Sequence, residues 1–228
     1  MELELLLSEM RRRLARPAGA SAIANAAAVG AGTPSAAEQL SWRPPDELPP
    51  WRPPAELFLA DPAARLARFV EQAREGGSTV QTLPSRGALE PAVLQLLEAH
   101  GWRTMLCAAA LRAPAFEPLL ADQAATAHFG LCEAAAAVAE LGSVMLTHDA
   151  GNPRSVSLVP PAVGFVVPAS SIVSRITEVL ASLDARGSDL PSAVTFVRGP
   201  SRSADIGSVT CFGAHGPGEV WVWIVEDE

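Results

Sequence analysis

The chain carries V-T-F-V-R-G-P-S-R-S-A-D-I-G-S-V-T-C-F-G-A-H-G-P-G-E-V-W-V-W-I-V from Val194 to Val225. An apolar, β-branched run enters at Val194 to Val197 and another leaves at Val220 to Val225, so the spacing predicts two strands joined by a Gly-rich loop. Two Gly-Pro steps, at Gly199 and Gly216, bracket Arg202, Asp205, His215 and three serines. Strand ends that open into such loops are where α/β proteins keep their chemistry.

Upstream, the apolar periodicity alternates between helix and strand. Helices are expected over Arg65–Arg74, Leu89–His100, an Ala-rich run from Cys132 to Leu141, and Ile172–Leu183. Strands are expected over Ser78–Leu83, Thr104–Ala109, Ala125–Phe129, Ser143–Thr147 and Val163–Val167. This alternation predicts an α/β fold with a three-layer, mostly parallel sheet, whose ligand sits at the carboxyl ends of the strands.

The first 54 residues read differently. Leu5, Leu6, Met10 and Leu14 fall at helical spacing, which predicts a short amphipathic helix from Glu2 to Ala15. From Pro17 to Pro54 the chain is rich in Ala, Gly, Ser and then Pro, with W-R-P-P written at Trp42–Pro45 and again at Trp51–Pro54. Paired prolines hold an extended backbone that cannot join a helix interior or a central strand. The expected organisation is an N-terminal helix and Pro-rich arm over 1–54 and one α/β domain over 55–228.

Composition excludes several functions. The formal charge is -8, and all 17 basic residues are Arg, so no basic stripe for nucleic acid is expected. Cys107, Cys132 and Cys211 are far apart in apolar surroundings, without the ligand spacing of a zinc or iron–sulfur site. They read as buried thiols of a reducing compartment. The start, M-E-L-E-L-L-L-S-E-M, has acids where a signal peptide needs bases, and no apolar run nears the ~20 residues of a membrane span. A cytoplasmic location is expected.

Two further segments complete a pattern with two from the stretch above. A-V-A-E-L-G-S (Ala137 to Ser143), R-S-V-S-L-V-P (Arg154 to Pro160), G-P-S-R-S-A-D-I (Gly199 to Ile206) and G-A-H-G-P (Gly213 to Pro217) follow in the order and spacing of the LUD-domain family, whose pattern is roughly A-E-T-G-T, R-S-V-S-L-L-P, G-P-S-R-T-A-D-I and G-V-H-G-P. The chain therefore resembles the lactate-utilisation branch of that family over roughly Leu57 to Val225. The resemblance implies a fold similar to the ribose-phosphate isomerase and CoA-transferase superfamily. It also implies a subunit of a bacterial system that oxidises L-lactate to pyruvate beside iron–sulfur partner subunits. No cofactor and no metal are expected on this chain itself.

The candidate site residues follow. The turn Gly199-Pro200-Ser201 exposes backbone N–H groups beside the Arg202 fork, a receptor for a carboxylate or phosphate, with Asp205 as a helix cap or ion-pair partner. His215, its backbone fixed by Gly216-Pro217, is a candidate general base or anion donor. Arg154 and Ser155 offer a second anion contact at the start of a short helix. Glu140, placed by the Ala-rich reading in a last helical turn before Gly142, opposes the helix dipole and is the other catalytic candidate. Glu133, on the same face, reads as a solvated or capping residue. Ser143 keeps a hydroxyl where the family has Thr, whereas Leu141 does not. Catalytic Glu140 and His215, with Ser143, Arg154, Ser155, Gly199, Ser201, Arg202, Asp205 and Gly216 as substrate ligands, are expected to converge on one pocket for a small anion. Two other readings remain open, an acyl- or CoA-transferase using Glu140 as nucleophile and a sensor or assembly module without chemistry. His148 next to Asp149 does not by itself make a metal site, and His100 and His128 read as structural.

Overall fold

The computed structural model describes residues 58–203, 211–213 and 215–227. The expected N-terminal helix, the Pro-rich arm with its boundary at residue 54, and Asp205 lie outside the described residues.

Helix α1, Pro62–Glu75, begins where its sequence says it should. The Asp61 carboxylate accepts the N–H groups of Ala63 and Ala64 at 3.2 Å each, and Pro62 occupies the first turn. Strand β1 (Thr79–Leu83), helix α2 (Leu89–His100) and strand β2 (Met105–Cys107) follow as expected. The remaining elements are β3 (Phe129–Glu133), β4 (Ala136–Val138), β5 (Ser143–His148), α3 (Arg154–Leu158), β6 (Ala162–Pro168), β7 (Ile172–Val173), α4 (Ile176–Asp184), β8 (Ala193–Val197), β9 (Arg202–Ser203), β10 (Cys211–Phe212) and β11 (Glu219–Val225).

A five-stranded sheet in the order β1-β11-β6-β3-β2 is parallel throughout. Its strands alternate side chains to two buried faces. On one face, Val93, Leu96 and Leu97 of α2 pack with Met105, Phe129, Leu131, Val166 and Trp223. On the other, Val80, Cys132, Phe165, Val222 and Ile224 meet Phe69 and Ala73 of α1 together with Ala137, Val144 and Leu146.

Those last three residues belong to an element the sequence did not announce. A second sheet runs β7-β4-β5-β8, with β4–β5 and β5–β8 antiparallel. Its far face carries Val138, Met145 and Phe196 against Val179 of α4. The Ala-rich helix expected over Cys132–Leu141 is therefore replaced by the end of β3, strand β4 and a hairpin turn. Alanine favours helix by propensity, a weak bias that tertiary contacts override. Here the Ala134 N–H donates to Val166 at 2.8 Å and the Ala135 N–H to Met145 at 2.8 Å, so each sheet takes a backbone donor that a helix would have used. Likewise, Ile172–Val173 pairs with β4, which delays α4 to Ile176. The strand expected over Ala125–Phe129 starts at Phe129.

Parallel pairing puts Cys107, Glu133, Pro168, Leu83 and Val225 at one edge of the five-stranded sheet, the carboxyl edge. Phe129, Ala162, Thr79 and Glu219 mark the amino edge.

Candidate functional site

At the carboxyl edge, residues 108–110 after β2 and 133–135 after β3 face Thr147, Asp149, Gly151 and Asn152 from the end of β5. They enclose a cavity of about 450 Å³. A second cavity of about 190 Å³ adjoins it, sharing Ala110 and lined also by Arg86, Glu90, Arg112 and Phe116. Between them stands an ion pair in which Arg86 Nη1 donates to Glu133 Oε1 at 2.7 Å, both side chains being about one-third exposed. Arg86 Nη2 also reaches the Ala110 carbonyl at 3.3 Å, and its backbone N–H donates to Asp227 at 3.1 Å.

The wall from β5 is built from short-range bonds. Asp149 Oδ1 accepts the N–H groups of Gly151 at 2.7 Å and Asn152 at 2.8 Å, the turn that Asp makes with its own backbone. Buried His148 bridges this loop to the second sheet, with Nδ1 3.2 Å from the Asn152 carbonyl and Nε2 3.0 Å from Thr195 Oγ1. A carbonyl only accepts, so Nδ1 is the donor to Asn152. Asn152 Nδ2 donates to Thr147 O at 3.1 Å, while its Oδ1 is buried without a hydrogen-bond partner among the described residues.

None of the nine described candidate residues from the sequence lines this cavity. The Gly-rich loop enters β11 at its amino end, where the Gly218 N–H donates to Pro161 just before β6. Gly199, Ser201, Arg202, His215 and Gly216 therefore belong to the amino edge. Gly199 (φ 66°) lies against the Gly76 carbonyl, and any Cβ there would overlap it. Arg202 Nη2 donates to the same carbonyl at 2.5 Å, supplying a cation to the C-terminal end of α1. The Ser201 N–H donates to Pro217 at 2.8 Å and its carbonyl accepts from Gly213 at 2.9 Å, closing the loop on itself. His215 is exposed.

Glu140 lies in the β4–β5 turn, not in a helix. Its Oε1 accepts the Ile176 N–H at 2.8 Å and its Oε2 stands 3.9 Å from Arg175 Nε, so the carboxylate caps α4. Gly142 keeps the positive φ expected of it, 60°, in this hairpin turn. Ser143 opens β5 with its Oγ buried and without a hydrogen-bond partner among the described residues. Arg154 and Ser155 begin α3, Arg154 with its side chain exposed.

The residues that sequence reasoning missed are Arg86, Arg112 and Asn152, and Glu133 was given a lesser role. One signal was readable: Glu133 directly follows the apolar run F-G-L-C, the position of a strand's carboxyl end. Reading that run as the start of a helix concealed it.

Neither thiol pairs with the other. Cys107 and Cys132 are free and buried on opposite faces of the parallel sheet. Burial pushes the Cys107 thiol up to about 12 and raises that of Cys132 further. Among the described residues no three His, Cys, Asp or Glu side chains gather as metal ligands, and no helix is long and apolar enough to cross a membrane.

A model of the LUD domain matches residues 114–225, which takes in β3 through β11. Residues 114–225, just under half of the chain, are thus similar to a LUD domain. The chain is similar to the lactate utilization protein C of Halalkalibacterium halodurans, 39% identical over 111 residues that make up 47% of this chain and 48% of the relative. The protein of the same name from Bacillus subtilis is 36% identical over 108 residues, covering 46% of this chain and 45% of that one. The matched region thus spans about half the length of these relatives. A crystal structure of a DUF162 family protein from Deinococcus radiodurans superposes with a TM-score of 0.56, covering 73% of this chain and 99% of that one. At 21% identity it shows the shared fold alone.

Proposed function

We propose that this chain is a substrate-handling subunit of a bacterial L-lactate utilisation system, working with iron–sulfur partner subunits. The observation that carries this reading is the run of 36–39% identity to proteins named lactate utilization protein C. Converting L-lactate to pyruvate removes two electrons and two protons. The electrons need an acceptor, which the iron–sulfur partners supply in this reading. The chain's own task is to bind the hydroxy acid, orient it and exclude water around its C2 centre.

The carboxyl-edge cavity suits that task. It lies where parallel α/β sheets place their ligands, its alanine walls leave room, and Glu133, Thr147, Asp149 and Asn152 supply polar groups to a mostly apolar lining. Deleting the gene is expected to abolish growth on L-lactate as sole carbon source, with growth on pyruvate retained and restored on lactate by the intact gene. Unimpaired growth of the deletion strain on L-lactate would remove the reading.

A further inference from the structure

The smaller cavity differs in charge from the larger one. Its lining includes two arginines, Arg86 and Arg112, and one carboxylate residue, Glu90; Arg86 is paired with Glu133 beside it. Among the described residues Arg112 makes no side-chain hydrogen bond or ion pair, although it lies near enough to Cys107 to lower that thiol's proton affinity against the effect of burial. A chain of net charge -8 that spends two arginines on one small concavity has made a local anion receptor. Its volume is about 190 Å³, small enough to favour a small acid over a large ligand.

We infer that Arg112 and Arg86 hold the carboxylate of a small monocarboxylic acid in this cavity, and that Glu133 recognises a hydroxyl on its second carbon. The identity of the acid rests on the lactate reading above; the site does not. The Arg86–Glu133 pair is one-third exposed on both sides, which places it among the weaker ion pairs. An arriving carboxylate exchanges with Glu133 for the Arg86 fork, a geometry that carboxylates match with two parallel bonds. Glu133, standing 2.7 Å from Arg86 before the exchange, is then the nearest acceptor for the ligand's hydroxyl. Glu133 also lines the larger cavity, so substituents on the second carbon project there across Ala110.

Calorimetry on the full chain tests this with L-lactate and propionate, which differ only in the hydroxyl. Arg112→Ala is expected to weaken L-lactate binding by about tenfold or more, the consequence of losing one charged contact. Arg202→Ala, at the opposite edge, is expected to leave it unchanged, and Glu133→Ala, which removes the accepting oxygens, to erase the preference for L-lactate over propionate. Exposed Arg112 is not needed for folding, and circular dichroism of each variant confirms that the comparison is between folded proteins. Equal L-lactate binding by the wild type and Arg112→Ala overturns the site but leaves the lactate reading standing. Propionate and L-lactate bound alike, both through Arg112, keep the anion receptor and overturn the Glu133 role, while the lactate reading is decided by the growth test. Binding of neither acid at millimolar concentration overturns the site outright.

Discussion

Removing the Glu140 carboxylate strips α4 of the acceptor for Ile176 N–H and leaves Arg175, whose Nε is buried without a hydrogen bond, without the anion 3.9 Å away. Glu140→Ala is therefore expected to cost about 1–2 kcal/mol in urea denaturation, as loss of a helix N-terminal acceptor does. Glu140→Gln, which keeps an accepting oxygen, recovers part of it. Neither change is expected to alter ligand affinity; unchanged stability with lost binding would return Glu140 to the site. Gly199 gives a second comparison. It and Gly187 have φ of 66° and 58°, but a Cβ at Gly187 meets nothing within 4 Å whereas one at Gly199 overlaps the Gly76 carbonyl. Gly187→Ala should cost about 1–2 kcal/mol for the left-handed backbone alone, and Gly199→Ala about 1–3 kcal/mol more for overpacking. Equal losses in thermal unfolding would contradict the close approach. The sequence marked both Gly199 and Arg202 as special. It could not tell that this constrained backbone and this cation both meet the end of α1.

Among the elements, β1, α2, β2, β5, β6, β8 and β11 were legible because their apolar periods are clear and turn residues bound them. Residues 132–141 were not. Alanine has no side chain long enough to make a period of two visible, so local propensity spoke for helix while burial of Ala134, Ala137 and Ala139 spoke for strands. Those small residues let the second sheet lie close to α1 and the first sheet. The same close packing governs the cysteines. With Cys107 pushed up to about 12 by burial and Cys132 raised further, neither is a thiolate at pH 8. Iodoacetamide at that pH should label both only after unfolding, as peptide mass spectrometry would read; rapid labelling of Cys132 in the folded protein would contradict the structure. Because the folded thiols hold protons that the unfolded chain releases above its ordinary value near 9, stability present below pH 9 should fall as pH rises from about 9 towards 12. Urea midpoints measured across that range check the sign.

For the molecule as a whole, the alternation of elements disclosed a parallel sheet, and the order of four short motifs disclosed the family. Neither disclosed the direction in which the Gly-rich loop is used. A loop after β8 looks like a carboxyl-end loop until β8 is seen to belong to the second, antiparallel sheet, so that the loop delivers the chain to the amino end of β11. Strand membership depends on pairing between residues about fifty positions apart, Val144 with Val197 for example, which no local pattern encodes. The site we infer lies at the opposite edge of the sheet from Arg202 and His215, at Arg86, Arg112 and Glu133. Backbone amide shifts of the ¹⁵N-labelled protein titrated with L-lactate report directly on which edge binds. The largest changes should fall at Arg86, Ala110, Arg112, Glu133 and Asn152, with Ser201, Arg202 and Gly216 unmoved; changes confined to those last three would place the ligand at the amino edge and contradict the assignment.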